Sequence, residues 1–304
     1  MSDQSPPLFS AQKRERQIKR VLPAFYNKKY DFLYRLAAQS VAERLQLMKA
    51  QFKNILLFGG LGLPDLILSL GTLYPDRSVT VADTTDAVFA DLPADDSLTN
   101  HQLKKGWNAL PFSPNSFDLV ISFMHLHTIN DVPGLMIQCR HILRADGAFL
   151  AVFPGGESLS ELRESLMIGE METRGGVAQR TAPMIGLENA GALLQRADLR
   201  LPVSDYERHT LTYPDLYRLL SDLRGMALGA MLTQSGGPLR RDTLKMAETI
   251  YRQRFALRNK RLPLTLDLLH LIGWAPAAGQ PQPLKPGSAE NSLADALNTD
   301  EHEG

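Results

Sequence analysis

The chain has 304 residues, with 33 basic and 33 acidic side chains, so no overall positive charge points to nucleic acid. Hydrophobic residues make up 44% and charged residues 22%, a composition that suits an ordinary globular core. The only cysteine, Cys139, excludes an internal disulfide, and no run approaches the roughly 20 apolar residues of a membrane span.

Strands alternate with helices through the first half of the predicted chain. Residues 1–12 are polar, contain a proline pair and are predicted to be disordered. Short apolar runs predict strands at 54–58, 78–82, 117–123 and 148–153, and helical spacing predicts helices at 30–49, 64–73 and 131–144. The stretch 92–106 has no readable pattern. Strands separated by helices predict an α/β fold with a doubly wound, mostly parallel sheet.

The second half adds more helix than strand. Helices are expected at 159–172, 187–197, 214–224 and 242–255, the last capped by Asp242. Residues 200–211 have strand composition, and 264–274 is a strand or a helix, with the strand favoured. We therefore expect one domain at 13–276, with a cofactor half at about 50–157, helical and strand additions at 158–276, and a disordered acidic tail at 277–304.

The first predicted strand ends in a glycine turn. Gly59, Gly60 and Gly62 follow an apolar run, and Pro64 opens the next helix, as in the first unit of nucleotide-binding sheets. Glycines there let the backbone approach a ligand. The full G-x-G-x-x-G pattern is absent, so the turn is either a ligand loop or a plain strand-to-helix connection.

Three other segments should meet the turn, because ligands of such sheets bind outside the carboxyl ends of the strands. Asp83 lies 21 residues after Gly62, the spacing at which a carboxylate accepts hydrogen bonds from the ribose hydroxyls of a bound dinucleotide. The alternative is that Asp83 caps the turn that follows the strand. Trp107 and Asn108 are candidate cofactor contacts at the same edge. His127 is a candidate general base or polar contact.

His125 and His127 follow the strand at 117–123 with a spacing that places both imidazoles on one face if the strand continues. A metal needs a third ligand, and no cluster with metal spacing supplies one, so no metal site is predicted. The simpler expectation is one packed and one exposed histidine.

Several blocks resemble a known family. They are LPFSPNSFDLV from Leu110, FPGGESLSELR from Phe153, TYPDLYRLLSDLRGM from Thr212 and RRDTLKMAETIYRQRF from Arg240. The chain resembles class I S-adenosylmethionine-dependent methyltransferases over about 8–276. It is most similar to the mitochondrial complex I assembly factors of this fold and their bacterial relatives, which are related to the malonyl-carrier-protein methyltransferases of biotin synthesis.

The resemblance implies a seven-stranded sheet, S-adenosylmethionine over Gly59–Gly62 with Asp83 at the ribose, and methylation or arginine hydroxylation of a protein. That protein is expected to be a subunit of NADH dehydrogenase. The chain departs from the family where an acidic residue ends the first strand, since Leu57 or Phe58 stands there. Losing one charge-assisted hydrogen bond costs ~1.5–3 kcal/mol, roughly 10- to 150-fold in affinity.

Two other classes of protein remain as alternatives. One is a non-catalytic assembly or scaffold protein that has lost the cofactor, and the other is a nicotinamide-dependent oxidoreductase, which the incomplete fingerprint disfavours. The start of the chain lacks the apolar region of a secretory signal, so we expect a bacterial cytoplasmic protein. A protein of the mitochondrial matrix is the less favoured alternative. The basic start leaves peripheral membrane contact open.

Overall fold

Seven strands form one sheet in a computed structural model that describes residues 6–281. The strands are β1 (Asn54–Phe58), β2 (Ser78–Asp83), β3 (Leu98–Gln102), β4 (Phe117–Phe123), β5 (Leu143–Gly155), β6 (Arg200–Tyr213) and β7 (Leu262–Trp274). Their order across the sheet is β3-β2-β1-β4-β5-β7-β6. The first five pair in parallel, and β7 runs antiparallel to both of its neighbours. The predicted mostly parallel, seven-stranded α/β fold is confirmed.

Eight α-helices accompany the sheet within the described residues. They are α1 (Ala11–Tyr26), α2 (Phe32–Leu47), α3 (Leu63–Leu73), α4 (Val132–Ile142), α5 (Ser160–Arg174), α6 (Leu187–Arg196), α7 (Leu216–Gly225) and α8 (Arg241–Phe255). Because successive strand residues point to opposite faces, β1 contributes to two cores. Ile55 and Leu57 pack with α1, α2 and α3, while Leu56 and Phe58 pack with α4 and α6. Both faces are covered, which explains why apolar residues occupy adjacent positions in β1 and β4 instead of alternating with polar ones.

The start of the chain differs from the expectation of disorder through residue 12. Phe9 is buried and forms a bridge with Leu232, and α1 begins at Ala11 with the Ser10 hydroxyl accepting the Lys13 backbone N–H at 3.3 Å. The physical reason is an apolar stripe on α1 that packs into the core, formed by Ile18, Val21, Leu22 and Phe25. The expectation was therefore wrong for residues 8–12, and residues 1–5 lie outside the description.

Three local predictions have clear outcomes. The segment without a readable pattern contains β3, an edge strand whose side chains are mostly exposed, so burial imposes no alternation on it. The strand alternative for 264–274 is confirmed by β7. Asp242 was wrongly expected to cap α8: Arg240 is the cap residue, and Asp242 lies in the first turn, where its charge complements the helix dipole.

The predicted acidic tail falls, from residue 282 onward, outside the described residues. Within 6–281, no helix combines the length and the apolar character needed to cross a membrane.

Candidate functional site

The carboxyl ends of three central strands meet at one edge of the sheet. Register pairs Phe58 at the end of β1 with Ala82 of β2 and Ser122 of β4, so the residues that follow these strands are neighbours. The sequence-predicted site residues lie along this edge, on the glycine turn, at the end of β2 and on two short 3₁₀ helices (Gly106–Asn108 and Leu126–Thr128): Gly59, Gly60, Gly62, Asp83, Trp107, Asn108 and His127. Their roles in binding stay predictions.

Two glycines of the turn are required by packing within the chain. A Cβ on Gly59 would lie 2.6 Å from the carbonyl oxygen of Phe123, closer than real contacts allow. Gly62 has a left-handed φ of +69°, and a Cβ there would lie 2.5 Å from the Cβ of Tyr34 on α2. These glycines therefore let the turn approach β4 and α2, a reason that the sequence alone did not distinguish from ligand approach.

Gly60 faces α1. A Cβ at this position would lie 2.8 Å from Cδ1 of Ile18 and 3.0 Å from Nη2 of Arg14. The first turns of α1 thus cover the glycine turn on the side where the family resemblance places a cofactor.

Asp83 is fully buried and is paired with Arg14. The guanidinium donates from Nη1 to Oδ1 at 2.9 Å and from Nη2 to Oδ2 at 2.7 Å. The backbone N–H of Thr85 also donates to Oδ1, at 2.9 Å. Arg14 itself is 8% exposed. Both carboxylate oxygens that were expected to accept ribose hydroxyls are therefore already engaged by an arginine, and Asp83 also fixes the turn after β2, its alternative role.

Arg14 was not singled out as a site residue, because α1 was not predicted. A signal for it does exist in the sequence. Arg14 precedes Ile18 by four residues, so it lies on the same face as the apolar stripe of α1. A charged residue on a buried helix face needs a partner, which Asp83 provides.

Two cavities adjoin the Arg14 guanidinium. The larger, about 170 Å³, is lined by residues of the two 3₁₀ helices, the segment after β2 and the start of α1, among them Thr84, Trp107, Asn108, Thr128 and Asn130. The smaller, about 20 Å³, lies between Gly60, Tyr34 and His127. Arg14 lines both. Each is smaller than the ~300 Å³ at which ligand pockets begin, and Arg14 occupies part of the space at both.

The indole of Trp107 forms an aromatic wall at the larger cavity. Its ring lies 4.0 Å from the ring of His125 and 5.4 Å, edge-on, from that of Phe58. The Arg14 guanidinium carbon lies 5.9 Å from the indole centroid, within cation–π range. The indole and the Asp83 carboxylate thus both contact the same guanidinium, and the aromatic face suits a flat ligand such as a nucleoside base.

The two histidines leave the strand before they can share a face. β4 ends at Phe123, Met124 has a left-handed φ of +50°, and His125 is the cap residue of the next 3₁₀ helix. His125 is buried, with neither ring nitrogen hydrogen-bonded, while His127 is half-buried with its Nδ1 shielded and unpartnered. Within residues 6–281, no three metal-ligating side chains cluster.

Both imidazoles are neutral at physiological pH. Burial, followed by the nearby Arg14 charge, lowers the pKa of His127 to about 4 and that of His125 well below its usual 6.5. A neutral His127 that lines the small cavity can accept a proton or a hydrogen bond from a substrate there.

We expect nuclear magnetic resonance titration to give His127 a pKa of about 4, with His127→Gln used to assign its signals. Because the folded-state pKa lies below the unfolded one, the imidazole costs stability as pH falls from about 6.5 towards 4. The free energy of unfolding of His127→Gln should therefore fall less than that of the wild type over this window. Titration of His127 near 6.5 would contradict the burial argument.

The segment after β5 is held in place by Asp267 of β7. Its Oδ2 accepts the Glu157 backbone N–H at 2.9 Å, and its two oxygens accept Nε and Nη2 of Arg208 at 2.7 and 2.8 Å. Asp267 Oδ2 would lie 2.6 Å from a Cβ on Gly156, so the packing of Asp267 explains why this position is a glycine. A narrow apolar cavity lies next to this segment. It is lined by Pro154 and Leu159, one on each side of the segment in the chain, and it also reaches His127.

Comparison with known proteins identifies the domain and the fold. A family described as methyltransferase domain matches residues 69–151, a range that begins after the glycine turn. Among solved structures, the YcgJ protein of Bacillus subtilis has a TM-score of 0.54 at 16% identity, covering 79% of this chain and 99% of its own. A protein from Bacillus halodurans has the same TM-score at 12% identity, covering 78% of this chain and 100% of its own. These two likenesses support the fold alone.

Relatives of known name extend over nearly the whole chain. The malonyl-[acyl-carrier protein] O-methyltransferase of Laribacter hongkongensis is 26% identical, over 81% of this chain and 84% of its own. The mitochondrial arginine hydroxylase NDUFAF5 of Homo sapiens is 29% identical, over 88% of this chain and 76% of its own. That of Danio rerio is 30% identical, over 97% of this chain and 91% of its own. This chain therefore belongs to the NDUFAF5 family of methyltransferase-domain proteins.

Proposed function

We propose that this chain binds S-adenosylmethionine and modifies a protein substrate, in the assembly of respiratory NADH dehydrogenase. The observation that carries the proposal is a cavity at the ligand-binding edge of a methyltransferase sheet, lined by Trp107 and by Arg14, the partner of the buried Asp83 carboxylate. The family relatives named as arginine hydroxylases favour arginine hydroxylation as the reaction. Methyl transfer is the second candidate, supported by the relatives named as methyltransferases.

The cofactor would be held by residues from four segments. Asp83 would accept the ribose hydroxyls, and Trp107 and Asn108 would border the base. The backbone of Gly59–Gly62 would face the amino-acid arm, which lacks the family's carboxylate partner because Leu57 and Phe58 are both fully buried apolar residues. When bound, the cofactor supplies a sulfonium centre with a transferable methyl group. The protein's part would be to place that centre beside the substrate.

The substrate would approach from the side of α5. The narrow apolar cavity at His127 is also lined by Ala182 and Met184, and both residues line an open groove of about 390 Å³ on the surface. Arg163 and Met167 of α5 border the groove, and the Met167 side chain is 48% exposed. An adaptable apolar surface with a cation suits a peptide segment better than a small metabolite. This groove supports a protein as the substrate.

The cofactor is tested by calorimetry and thermal shift with S-adenosylmethionine and S-adenosylhomocysteine. We expect binding, and we expect adenosine to bind about 10-fold or more tightly than 2′,3′-dideoxyadenosine, because the latter cannot donate to the Asp83 carboxylate. This discrimination should disappear in Asp83→Asn and persist in Asp96→Asn, which changes an exposed carboxylate before β3, at the opposite edge of the sheet. No heat and no thermal shift at millimolar ligand would favour the non-catalytic scaffold alternative.

The reaction is tested with the purified membrane arm and peripheral subunits of NADH dehydrogenase as substrates, followed by mass spectrometry. Hydroxylation inserts one oxygen atom into a C–H bond of an arginine, so this assay has to contain molecular oxygen and a two-electron reductant. Methylation replaces one N–H hydrogen by the sulfonium methyl group, adds one CH₂ and releases S-adenosylhomocysteine and a proton, and the two mass shifts are separable. Modification that also occurs without the chain would contradict the proposal.

A further inference from the structure

The proposed site contains a buried ion pair between two residues of the chain, Arg14 and Asp83. Arg14 and Asp83 form a two-point ion pair, and the partners are 8% and 0% exposed. Arg14 Nη1 also lies 3.3 Å from the Thr84 hydroxyl, and the guanidinium stands over Trp107. A guanidinium and a carboxylate paired in this way out of solvent are held by strong, short hydrogen bonds. The pair is a closed arrangement that any ligand of Asp83 has to break.

A ribose diol and Arg14 need the same acceptors. Asp83 has two oxygens; each already accepts one guanidinium nitrogen, and Oδ1 also accepts the Thr85 N–H. Nη2, which donates to Asp83, would also lie 3.0 Å from a Cβ on Gly60, so the guanidinium occupies the space in front of this glycine. A ligand that runs from Asp83 across the glycine turn would therefore pass through the volume that Arg14 occupies.

The residues just before α1 and its first turn are also held by backbone and uncharged polar groups, among them the backbone pairs Ser10–Met231 and Leu8–Thr233 and the side chain of Asn130. The Phe9 backbone N–H donates to Oδ1 of Asn130 at 2.8 Å, and Nζ of Lys13 donates to the carbonyl of Leu232 at 2.6 Å. Both lie at the beginning of the helix, whereas Ile18 and the apolar stripe fix its later turns. Among the described residues, the Arg14–Asp83 pair is the only salt bridge that joins α1 to another element, because the other one formed by α1, Lys19–Glu15, lies within the helix.

We infer that Arg14 is a latch on the nucleoside subsite: it holds the first turns of α1 across the glycine turn, and a ligand bearing a 2′,3′-diol must displace it from Asp83. This inference rests on the proposed cofactor function. Arg14 would act as a residue that sets affinity and specificity, since only a ligand able to replace its two hydrogen bonds opens the subsite. The apparent affinity is then reduced by the fraction of molecules in which the latch is open.

The test compares the wild type with Arg14→Ala and Arg14→Gln, which retains one hydrogen-bond donor. Arg20→Ala is the control, because Arg20 is exposed on the same helix. Adenosine and S-adenosylhomocysteine are titrated by calorimetry, and backbone hydrogen exchange of residues 11–17 is measured without ligand. We expect both ligands to bind at least about 10-fold more tightly to Arg14→Ala, with a smaller gain for Arg14→Gln and none for Arg20→Ala. Exchange in the first turns of α1 should rise about 10-fold or more in Arg14→Ala.

Each outcome decides one of the two claims. Unchanged or weaker binding by Arg14→Ala, with binding by the wild type, overturns the latch and leaves the proposed function standing; weaker binding would make Arg14 a direct ligand contact. Absence of binding by every variant contradicts the proposed function and with it the nucleoside subsite, and exchange then tests only whether Arg14 holds the first turns of α1. Unchanged exchange in Arg14→Ala overturns that hold, and faster exchange supports it.

Discussion

Replacing Gly62 by alanine is expected to lower the free energy of unfolding by about 3 kcal/mol, through a left-handed backbone and overpacking together. Gly62 has a φ of +69°, which costs an L-residue about 1 kcal/mol or more. The added methyl group would also lie 2.5 Å from the Cβ of Tyr34 and 2.8 Å from its ring. The Tyr34 Cβ is fixed to the backbone of α2, so rotation of the side chain cannot relieve the contact, and α2 has to shift.

The variant Gly175→Ala separates the cost of the left-handed backbone from the cost of overpacking. Gly175 ends α5 with a φ of +65°, close to that of Gly62, but a Cβ there meets nothing within 4 Å. It should cost only the backbone term, about 1 kcal/mol. Urea unfolding measures both variants. If Gly62→Ala loses no more stability than Gly175→Ala, packing against Tyr34 is not what requires the glycine. Close approach of the backbone to a ligand would then be the better explanation for Gly62.

The sequence predicted the elements whose pattern is imposed by burial. β1 and β4 are buried on both faces, so their runs are nearly all apolar, and their predicted bounds agree with the observed Asn54–Phe58 and Phe117–Phe123. β3 is exposed at the sheet edge and has no such constraint. The long-range bridge between Phe9 and Leu232 left no local pattern, so order at the start of the chain was missed.

The site was predictable in position but not in its internal contacts. Strand ends and spacing placed Asp83 at the ligand edge, because the geometry of a parallel sheet fixes which termini meet. The partner of Asp83 lies 69 residues earlier, on a helix that was not predicted. The sequence left open whether the two histidines share a face for a related reason: Met124 turns the chain with a positive φ, which its residue type does not predict.

A second large effect is expected at the segment 177–184, which lines both the surface groove and the apolar cavity. Glu170 of α5 has a side chain that is 1% exposed and accepts from Arg180, whose side chain is 9% exposed. It also accepts the Ala178 backbone N–H at 2.7 Å. Arg180 donates in turn to the carbonyl of Gly236 at 3.0 Å. One buried carboxylate thus joins this segment to α5.

Removing Arg180 leaves that carboxylate buried without its main partner, so Arg180→Ala should lower the free energy of unfolding by about 3 kcal/mol at pH 7. Arg174→Ala is the matched control: Arg174 lies 3.6 Å from the same Glu170, but its side chain is 36% exposed. That pair should contribute less than about 1 kcal/mol.

The pH dependence of the stability difference shows whether loss of the Glu170 ion pair or loss of packing causes the effect of Arg180→Ala. Burial opposes ionisation of Glu170, but the hydrogen bonds from Arg180 and Ala178 outweigh it and hold its pKa below the usual 4.5. A depressed carboxyl pKa contributes stability that is present above the unfolded-state pKa and is lost as pH falls through the folded-state value. Without Arg180, burial dominates and the Glu170 pKa rises, so the carboxyl protonates and relieves its unpaired charge. The stability difference between wild type and Arg180→Ala should therefore shrink from pH 7 to pH 4 in urea unfolding, whereas a constant difference would assign the loss to packing of the arginine chain.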